Sequence, residues 1–334
     1  MKKMNCANLH GIGDLRYELA EFPSCGEDEV ILQLKCCGIC GSDLPRVFSK
    51  GTYHFPTVPG HEFAGTVFFD PKGELTGKGV AVFPLLPCFE CESCKKEQYA
   101  TCEGYDYYGS RRDGGMSEYL AVKRWNLLVM PEGLSYREGA MCEPVSVARH
   151  AVRKLGIRPG ETLLISGAGP IGLIAGQWAK AMGGAQVFYF DIDARKVAFA
   201  KTLGFAEYSG GEEISCALEG TGCSEPLSKC LEALSPGGRM VLMGNPSGEV
   251  ALSQNHYWHI LRKELTLLGT WNSSFRPEEN DWKESLAAMA EGRINVKPLV
   301  THAYPLEQCG EAFEMMREKT EFYLKVMLTM NEEK

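Results

Sequence analysis

The sequence predicts an α/β protein of two parts, an irregular antiparallel β-barrel and a doubly wound parallel sheet. Three observations support this prediction. The first 145 residues contain many short β-like runs punctuated by glycine and proline. From Pro159 to about residue 275, strand-like and helix-like segments alternate, as they do in a parallel sheet. A glycine-rich turn stands where the first of these strands passes into a helix.

Composition and charge narrow the class of protein. The chain has 334 residues, of which 44% are apolar and 23% charged, and this is enough for two domains of ordinary size. The net charge of −8 disfavours nucleic acid and anionic membranes as partners. Because no apolar run approaches 18 residues and polar residues interrupt the N-terminal stretch, we expect neither a membrane span nor a signal peptide. The expected location is the cytoplasm, where thiols stay reduced.

The β-like runs of the first part include EVILQLKCC, GTVFF and GVAVFP. After the alternating region the chain returns to two helical stretches, DWKESLAAMAEG and LEQCGEAFEMMREK, and then to the strand-like FYLKVMLTM. Trp282, Leu286 and Met289 have helical spacing, which predicts a core face on the first of these helices. We therefore expect a catalytic domain from residues 1–145 and 276–334, and a nucleotide-binding domain from residues 146–275.

Four cysteines are concentrated in the stretch PCFECESCKKEQYATC, at Cys88, Cys91, Cys94 and Cys102. In a reducing compartment their C-x2-C-x2-C-x7-C spacing predicts a metal site rather than disulfides. Short spacers let four thiolates surround one ion, and a closed shell of four sulfurs is typical of structural zinc. Four unrelated reduced cysteines are an alternative. An iron–sulfur cluster is another, although the ferredoxin run C-x2-C-x2-C-x3-C-P is not matched.

A second candidate metal site is spread over three segments, KCCGICGSDLPR, PGHEFAGTV and AMCEPVSVARHA. Cys40 and His61 are residues that zinc accepts as ligands. Glu62 or Glu143 could complete a site that keeps one position open for substrate. Asp43 could accept the second ring N–H of His61 and fix its tautomer. Each residue alone is weak evidence, since an isolated histidine is more often packed or solvated than bound to a metal.

The glycine-rich turn reads GAGPIG and lies between the strand-like TLLIS and a helix. This is the G-x-G-x-x-G pattern of dinucleotide-binding turns. Gly167 permits the tight turn, Gly169 lets the backbone approach a pyrophosphate, and Gly172 allows the helix to pack closely on the sheet. The N-terminus of the helix, which begins with Pro170 and Ile171, would then face the phosphates.

The next strand-like run, VFYF, leads to Asp191, nineteen residues after Gly172. A carboxylate at this position would bind both ribose hydroxyls and repel a 2′-phosphate, which favours NAD over NADP. Arg195 lies four residues further on, where it either contacts the adenine or ribose or is a solvated residue at the start of a helix. The expected cofactor is therefore NAD.

Six motifs carry a family resemblance along essentially the whole chain. In order, CGICGSD, PGHEFAG, the four-cysteine stretch, DGGMSEY, MCEPVSV and GAGPIGL resemble those of the zinc-dependent medium-chain dehydrogenase/reductase superfamily. Glu143 stands where alcohol dehydrogenases typically place a cysteine, and this resembles the polyol dehydrogenase branch. The resemblance implies a GroES-like catalytic domain, a Rossmann domain, and assembly into a homodimer or homotetramer.

The same resemblance implies two zinc ions per chain, one catalytic and one structural, together with NAD. It implies that Cys40, His61 and Glu143 hold the catalytic zinc. Glu62 would be an alternative ligand when the site opens. The chemistry it implies is hydride transfer from a zinc-activated alcohol to the nicotinamide.

Further segments, CGSDLPR, PLLPCF, YDYYGSRRDGG and ILRKELT, are similar to dehydrogenases that oxidise a sugar-alcohol phosphate with NAD. We therefore expect a polyol phosphate as the substrate. The alternative within enzymes is an unphosphorylated polyol or another secondary alcohol, such as sorbitol, butanediol or threonine. A zinc-braced, NAD-binding regulatory protein without turnover is the alternative from another class.

The candidate substrate contacts follow from this expectation. Ser42 could pass on the proton of the reacting hydroxyl. A phosphate needs cationic donors, and the candidates for this role are Arg46, Lys50, Arg111 and Arg112. Asn272 stands where sorbitol dehydrogenases usually carry an arginine, so a sorbitol-like binding mode is not expected. The expected substrate-contacting residues are Ser42, Arg46, Ser110, Arg111 and Asn272.

Overall fold

The computed structural model describes residues 2–330 and divides into two compact units. The first unit comprises Met1–Glu143 and Ser274–Lys334, and the second unit comprises Pro144–Ser273. Each unit is built on a large sheet of its own. Within residues 2–330, no helix combines the length and apolar character that crossing a membrane requires.

The strands and helices of residues 2–330 are numbered in chain order. The strands are β1 (Lys3–Gly11), β2 (Asp14–Glu21), β3 (Glu29–Ile39), β4 (Glu62–Phe69), β5 (Gly79–Val82), β6 (Leu85–Leu86), β7 (Asp106–Tyr107), β8 (Tyr119–Lys123), β9 (Leu127–Val129), β10 (Thr162–Ser166), β11 (Gln186–Phe190), β12 (Ala206–Glu207), β13 (Ile214–Glu219), β14 (Leu234–Leu242), β15 (Thr266–Gly269), β16 (Val300–Pro305) and β17 (Lys325–Thr329). The helices are α1 (Asp43–Pro45), α2 (Glu92–Lys95), α3 (Tyr136–Ala140), α4 (Cys142–Leu155), α5 (Pro170–Gly183), α6 (Ala194–Thr202), α7 (Ser224–Ala233), α8 (Gln254–Arg262), α9 (Asp281–Ala290) and α10 (Cys309–Glu318).

The first unit is organised by a seven-stranded sheet with the order β16-β17-β3-β4-β5-β9, in which β8 also pairs with β3. The long strand β3 lies at its centre, because it pairs with β4, β8 and β17, all antiparallel. Most of its residues, EVILQLKCCGI, are buried. A strand covered on both faces carries a continuous apolar run, and this run ends next to Cys40. The antiparallel β prediction for this part is confirmed.

The core of the first unit joins the sheet to the helix α10. One apolar cluster includes Leu34 of β3, Val67 of β4 and Phe313 of α10, all nearly inaccessible to solvent. Trp282 of α9 is also buried, and its ring lies 5.5 Å from that of Phe83 in an edge-on contact. The predicted core face of α9 is therefore confirmed.

The second unit contains six parallel strands in the order β12-β11-β10-β13-β14-β15. Its central strands, such as TLLIS of β10 and ISCALE of β13, are almost entirely buried. The direction of winding reverses between β10 and β13, and ligands bind at the carboxyl ends of strands at such a reversal. The predicted doubly wound sheet is confirmed.

One helix of the second unit is absent from the expectations drawn from the sequence. Helix α8, QNHYWHILR, has no fully buried residue, but Ile260 packs against the core of the second unit while Tyr257, Trp258 and Leu261 are exposed. Its local signal is Ser253, whose hydroxyl caps the helix by accepting the N–H of His256 at 3.2 Å.

We predict that Arg239→Ala destabilises the second unit at neutral pH. The Arg239 guanidinium donates to Glu161 Oε1 at 2.9 Å and holds the pKa of Glu161 at about 2. The loss should be about 1–3 kcal/mol at pH 7, because the bonds are charge-assisted. A depressed carboxyl pKa stabilises the fold above the unfolded value and ceases to do so as pH falls towards 2. Urea unfolding should therefore show that the difference in unfolding free energy between Arg239→Ala and wild type is smaller at pH 3 than at pH 7.

The control for this prediction is Arg293→Ala, since Arg293 pairs with Glu291 on the exposed surface. An exposed pair contributes about 0–1 kcal/mol, so this variant should unfold close to wild type. Equal unfolding free energies for Arg239→Ala and wild type at pH 7 would contradict the assigned role.

Candidate metal centres and nucleotide site

The four cysteines of the first metal site converge in the structure. The thiol sulfurs of Cys88, Cys91, Cys94 and Cys102 lie within 4.8 Å of one another. The sulfurs of Cys88 and Cys94 are 3.9 Å apart, close to the separation of about 3.8 Å that tetrahedral geometry gives for zinc–sulfur bonds of about 2.3 Å. Backbone N–H groups point at the sulfurs, as that of Cys91 does towards Cys88 at 3.4 Å. The donor set and its spacing fit a structural zinc ion.

The surroundings of these thiols favour the thiolate form at Cys91 but not at Cys94. Hydrogen bonds from backbone N–H groups, first that of Cys94, lower the pKa of Cys91 to about 6. Burial instead raises the pKa of Cys94 to about 12. Cys91 favours the thiolate and Cys94 the neutral thiol. A bound cation is therefore needed to keep all four sulfurs as thiolates.

The second metal site lies at the edge of the central sheet of the first unit. Cys40 directly follows β3, while His61 and Glu62 stand at the start of β4, and these two strands are paired. The sheet pairing therefore brings together residues that are about twenty positions apart. One ligand atom of each of Cys40, His61 and Glu62 lies within 4.8 Å of the other two, and we call these residues the Cys–His–Glu cluster. Thiol, imidazole and carboxylate together fit zinc.

Asp43 lies behind this cluster and is completely buried. One of its oxygens accepts the Cys40 backbone N–H at 2.9 Å, and the other accepts from the Arg46 guanidinium at 2.7 Å. Asp43 Oδ1 is also 3.5 Å from His61 Nδ1. Burial alone would raise the pKa of Asp43, but His61, Arg46 and the Cys40 N–H lower it to about 2. The carboxylate is therefore ionised and faces the imidazole, as expected for a residue that orients a metal ligand.

Glu62 is held by a lysine that the sequence motifs do not indicate. Lys325 of β17 donates to both carboxylate oxygens of Glu62, at 2.7 and 2.6 Å, and to the carbonyl oxygen of Ile39 at 3.4 Å. Both side chains are buried. Burial disfavours the charged ammonium, but the Glu62 carboxylate outweighs this and raises the pKa of Lys325. The sole signal in the sequence is a lysine within an otherwise apolar end strand, KVMLT.

Glu143, the third ligand implied by the family resemblance, is buried in the first turn of α4 but lies outside the Cys–His–Glu cluster. Burial raises the pKa of Glu143 to about 7, and the nearby Glu62 carboxylate adds to this while His61 opposes it. Glu143 is thus close enough to interact with both cluster residues electrostatically. Its role as a zinc ligand stays a prediction.

The expected substrate contacts of the first unit lie in two places, the segment after Cys40 and the turn that contains Ser110 and Arg111. Arg46 donates to Ser42 Oγ at 3.1 Å and to Asp43, so its guanidinium is committed beside the cluster. Ser110 is buried and Arg111 half-buried in a turn in which Arg111 N–H donates to the Tyr107 carbonyl at 3.0 Å. The Tyr107 ring lies 5.8 Å from that of His61, which brings this turn close to the cluster. Their contacts with substrate stay predictions.

The glycine turn of the second unit has the geometry expected from its sequence. Gly167 has φ +94°, a left-handed conformation that side chains disfavour. A Cβ at Gly172 would lie 2.1 Å from the Gly167 carbonyl oxygen, so glycine is required for close packing there. A Cβ at Gly169 would meet nothing within 4 Å, which leaves this face of the turn open. Pro170 and Ile171 begin α5, as expected.

Asp191 follows β11 and is hydrogen-bonded to the glycine turn. Its Oδ2 accepts the Ala168 N–H at 2.8 Å, and its Oδ1 accepts the Asp193 N–H at 2.8 Å. Arg195 pairs with Asp193 at 2.8 Å on the surface. Asn272 lies after β15 with φ +55°. The roles of these residues as cofactor or substrate contacts stay predictions.

Two family models match the chain. Residues 26–132 match the family described as "Alcohol dehydrogenase GroES-like domain", and residues 170–291 match the family described as "Zinc-binding dehydrogenase". The chain belongs to the zinc-binding dehydrogenases. Membership in this family agrees with the four-cysteine site and the Cys–His–Glu cluster, which supply a structural and a catalytic zinc site. The expected GroES-like and Rossmann folds are confirmed.

The relatives indicate the branch of this family. The chain is 34% identical over 307 residues to galactitol 1-phosphate 5-dehydrogenase of Escherichia coli K12, covering 86% of this chain and 88% of that protein. It is 32% identical over 334 residues to L-galactonate-5-dehydrogenase of the same strain, covering 94% and 95%. The crystal structure of galactitol-1-phosphate dehydrogenase from Escherichia coli matches with a TM-score of 0.91 and 32% identity, covering 98% of this chain and 100% of that chain. The predicted class, a zinc-dependent polyol dehydrogenase that uses a nicotinamide cofactor, is confirmed, and the preference for NAD stays a prediction.

We predict that Asp43→Asn weakens zinc binding at the Cys–His–Glu cluster by about 10–100-fold, because the neutral amide no longer orients the His61 imidazole as a carboxylate does. Competition with a chromogenic chelator, followed by zinc analysis, measures the two sites in one protein. The four-cysteine site should keep its zinc in the variant.

A matched control is Asp106→Asn, since Asp106 pairs at 3.0 Å with the partly exposed Arg112 and not with the cluster. This variant should bind both zinc ions as wild type does. The assigned role of Asp43 is wrong if the Asp43→Asn protein retains both ions with unchanged affinity.

Proposed function

We propose that the protein oxidises a polyol phosphate, galactitol 1-phosphate to tagatose 6-phosphate, with NAD as the hydride acceptor. The observation that carries the oxidation itself is the buried cluster of thiol, imidazole and carboxylate with Asp43 behind His61. The choice of a phosphorylated polyol rests on the similarity to galactitol 1-phosphate 5-dehydrogenase. A sugar acid is the second candidate, because L-galactonate-5-dehydrogenase is nearly as similar.

The donor groups of the cluster would hold a zinc ion through Cys40, His61 and a carboxylate from Glu143 or Glu62. Zinc in such a site acts as a Lewis acid that lowers the pKa of a substrate hydroxyl. Asp43 keeps His61 oriented, and His61, Arg46 and the Cys40 N–H together keep the pKa of Asp43 low. A bound NAD would supply the redox chemistry as the hydride acceptor.

Ser42 is the proposed first acceptor of the hydroxyl proton. Its Oγ accepts a hydrogen bond from the Arg46 guanidinium at 3.1 Å, which leaves the hydroxyl hydrogen free to orient towards another acceptor. This arrangement fixes the serine oxygen beside the cluster while its own proton can be donated onward. We propose that Ser42 passes the proton to water.

The proposed preference for NAD rests on Asp191. Both of its oxygens accept backbone N–H groups, so the side chain is fixed at the end of β11 beside the glycine turn. A carboxylate fixed at this position hydrogen-bonds the ribose 2′-hydroxyl and repels the 2′-phosphate of NADP. Arg195 does not offset this charge, since its guanidinium pairs with Asp193.

A substrate panel read by nicotinamide absorbance tests the proposal. We expect galactitol 1-phosphate with NAD to give the highest kcat/KM, above galactitol, sorbitol, butanediol, threonine and L-galactonate, and above the same substrate with NADP. Removal of the catalytic zinc by a chelator should lower kcat by at least about a hundredfold, because several kcal/mol of charge stabilisation are lost. Added zinc should restore the rate.

Two results would contradict the proposal. Full activity in protein stripped of zinc would exclude the Lewis-acid role. A preference for a neutral polyol over galactitol 1-phosphate would exclude the phosphorylated substrate while leaving the dehydrogenase chemistry intact.

A further inference from the structure

Arg111 contacts two tyrosine rings of the first unit. Its guanidinium carbon lies 4.2 Å from the centroid of the Tyr53 ring and 4.4 Å from that of Tyr105. Its Nη2 donates to the Tyr53 hydroxyl at 3.2 Å. The two rings and the Tyr53 hydroxyl hold the guanidinium in place. A guanidinium presents a planar fork of N–H donors that binds phosphate and carboxylate groups in two-point fashion.

One donor of this fork has no partner. Arg111 Nε is inaccessible to solvent and makes no hydrogen bond within residues 2–330. A buried charged donor without an acceptor is costly, and an oxyanion supplied by a ligand would remove that cost. The Tyr53 side chain is 67% exposed, so this side of Arg111 lies near the surface of the first unit.

The turn that carries Arg111 is fixed to the segment leading into His61. The Gly115 N–H donates to the Gly60 carbonyl at 2.8 Å, and a Cβ at Gly109 would lie 2.4 Å from the same oxygen. His54 Nε2 is also 3.1 Å from the Arg111 carbonyl oxygen. These contacts hold the turn rigidly against the residue that precedes His61.

A row of rings connects the Arg111 side chain with the Cys–His–Glu cluster. The centroid of the Tyr105 ring is 6.2 Å from that of Tyr107, and the Tyr107 ring is 5.8 Å from the His61 ring. Two intervening rings, those of Tyr105 and Tyr107, therefore connect Arg111 with His61, so Arg111 lies in the same part of the first unit as the cluster.

The other two candidate arginines are engaged elsewhere. Arg46 donates to Asp43 and Ser42. Arg112 pairs with Asp106 at 3.0 Å and lies over the Tyr108 ring. Of the two adjacent arginines in this turn, Arg111 is thus the one whose guanidinium pairs with no carboxylate among the described residues.

We propose that Arg111, held by Tyr53 and Tyr105, binds the terminal oxyanion of the substrate and selects acidic polyols over neutral ones. The proposal rests on the function proposed above and names its substrate class, a polyol chain that ends in a phosphate or a carboxylate. The hydroxyl that reacts lies at the Cys–His–Glu cluster, and the charged end of the same molecule lies at Arg111.

The test compares kcat/KM for a hexitol phosphate, the corresponding aldonate and the neutral hexitol in wild type, Arg111→Gln, Arg111→Lys and Arg112→Gln. Arg111→Gln should lose about 10–100-fold on the acidic substrate that wild type prefers, mostly through KM, since one charge-assisted contact is removed. Its value for the neutral hexitol should stay within roughly twofold. Arg111→Lys should recover part of the loss, and Arg112→Gln should behave as wild type. Comparing the hexitol phosphate with the aldonate shows whether the charged end of the substrate is a phosphate or a carboxylate.

A second measurement does not depend on turnover. Calorimetric titration of the zinc-loaded, NAD-saturated protein with inorganic phosphate should show binding that Arg111→Gln weakens and Arg112→Gln preserves. This titration tests the proposal even if none of the three compounds is oxidised. A lack of oxidation would refute the proposed function but not the binding role of Arg111. The proposal is overturned by equal losses on acidic and neutral substrates, by no loss on either, or by phosphate binding that Arg111→Gln leaves unchanged.

Discussion

The catalytic cluster depends on one buried carboxylate, that of Asp43. It accepts the Cys40 N–H and the Arg46 guanidinium, and it faces the His61 imidazole at 3.5 Å. A single ionised group thus fixes the loop after β3, the serine-bearing turn and the histidine at the start of β4. A carboxylate buried this completely stays charged only because cations and N–H donors surround it. Loss of any one partner would shift the others.

The two other carboxylates of the site, Glu62 and Glu143, differ in how much positive charge lies beside them. Lys325 binds both oxygens of Glu62, while burial raises the pKa of Glu143 to about 7. A divalent ion beside Cys40 and His61 would favour the ionised form of Glu143, because opposite charge lowers a carboxyl pKa. Glu62 could bind a metal while it still accepts from Lys325, because a carboxylate has about four acceptor positions. Either carboxylate could therefore complete the site, Glu62 from within the Cys–His–Glu cluster and Glu143 from beside it.

The sequence is informative where chemistry depends on local spacing. The four cysteines, the glycine turn and the strands of the parallel sheet follow from residues only a few positions apart, and the structure brings them together as expected. Lys325 was missed because its contact with Glu62 spans 263 positions and no motif surrounds it. We expect Arg46 from the sequence to bind phosphate, but its guanidinium pairs with Asp43, three positions earlier; the sequence shows this spacing but not that Asp43 is completely buried. The position of Arg111 likewise depends on Tyr53, 58 positions away.

The central claim is that Cys40, His61 and a neighbouring carboxylate hold a catalytic zinc ion. Anomalous diffraction at the zinc edge, on crystals of the purified protein, tests it most directly. The account predicts two peaks per chain, one within the four-cysteine site and one within bonding distance of the Cys40 sulfur and a His61 nitrogen. A peak at the four cysteines with none at Cys40 and His61, in protein that is active, would contradict it.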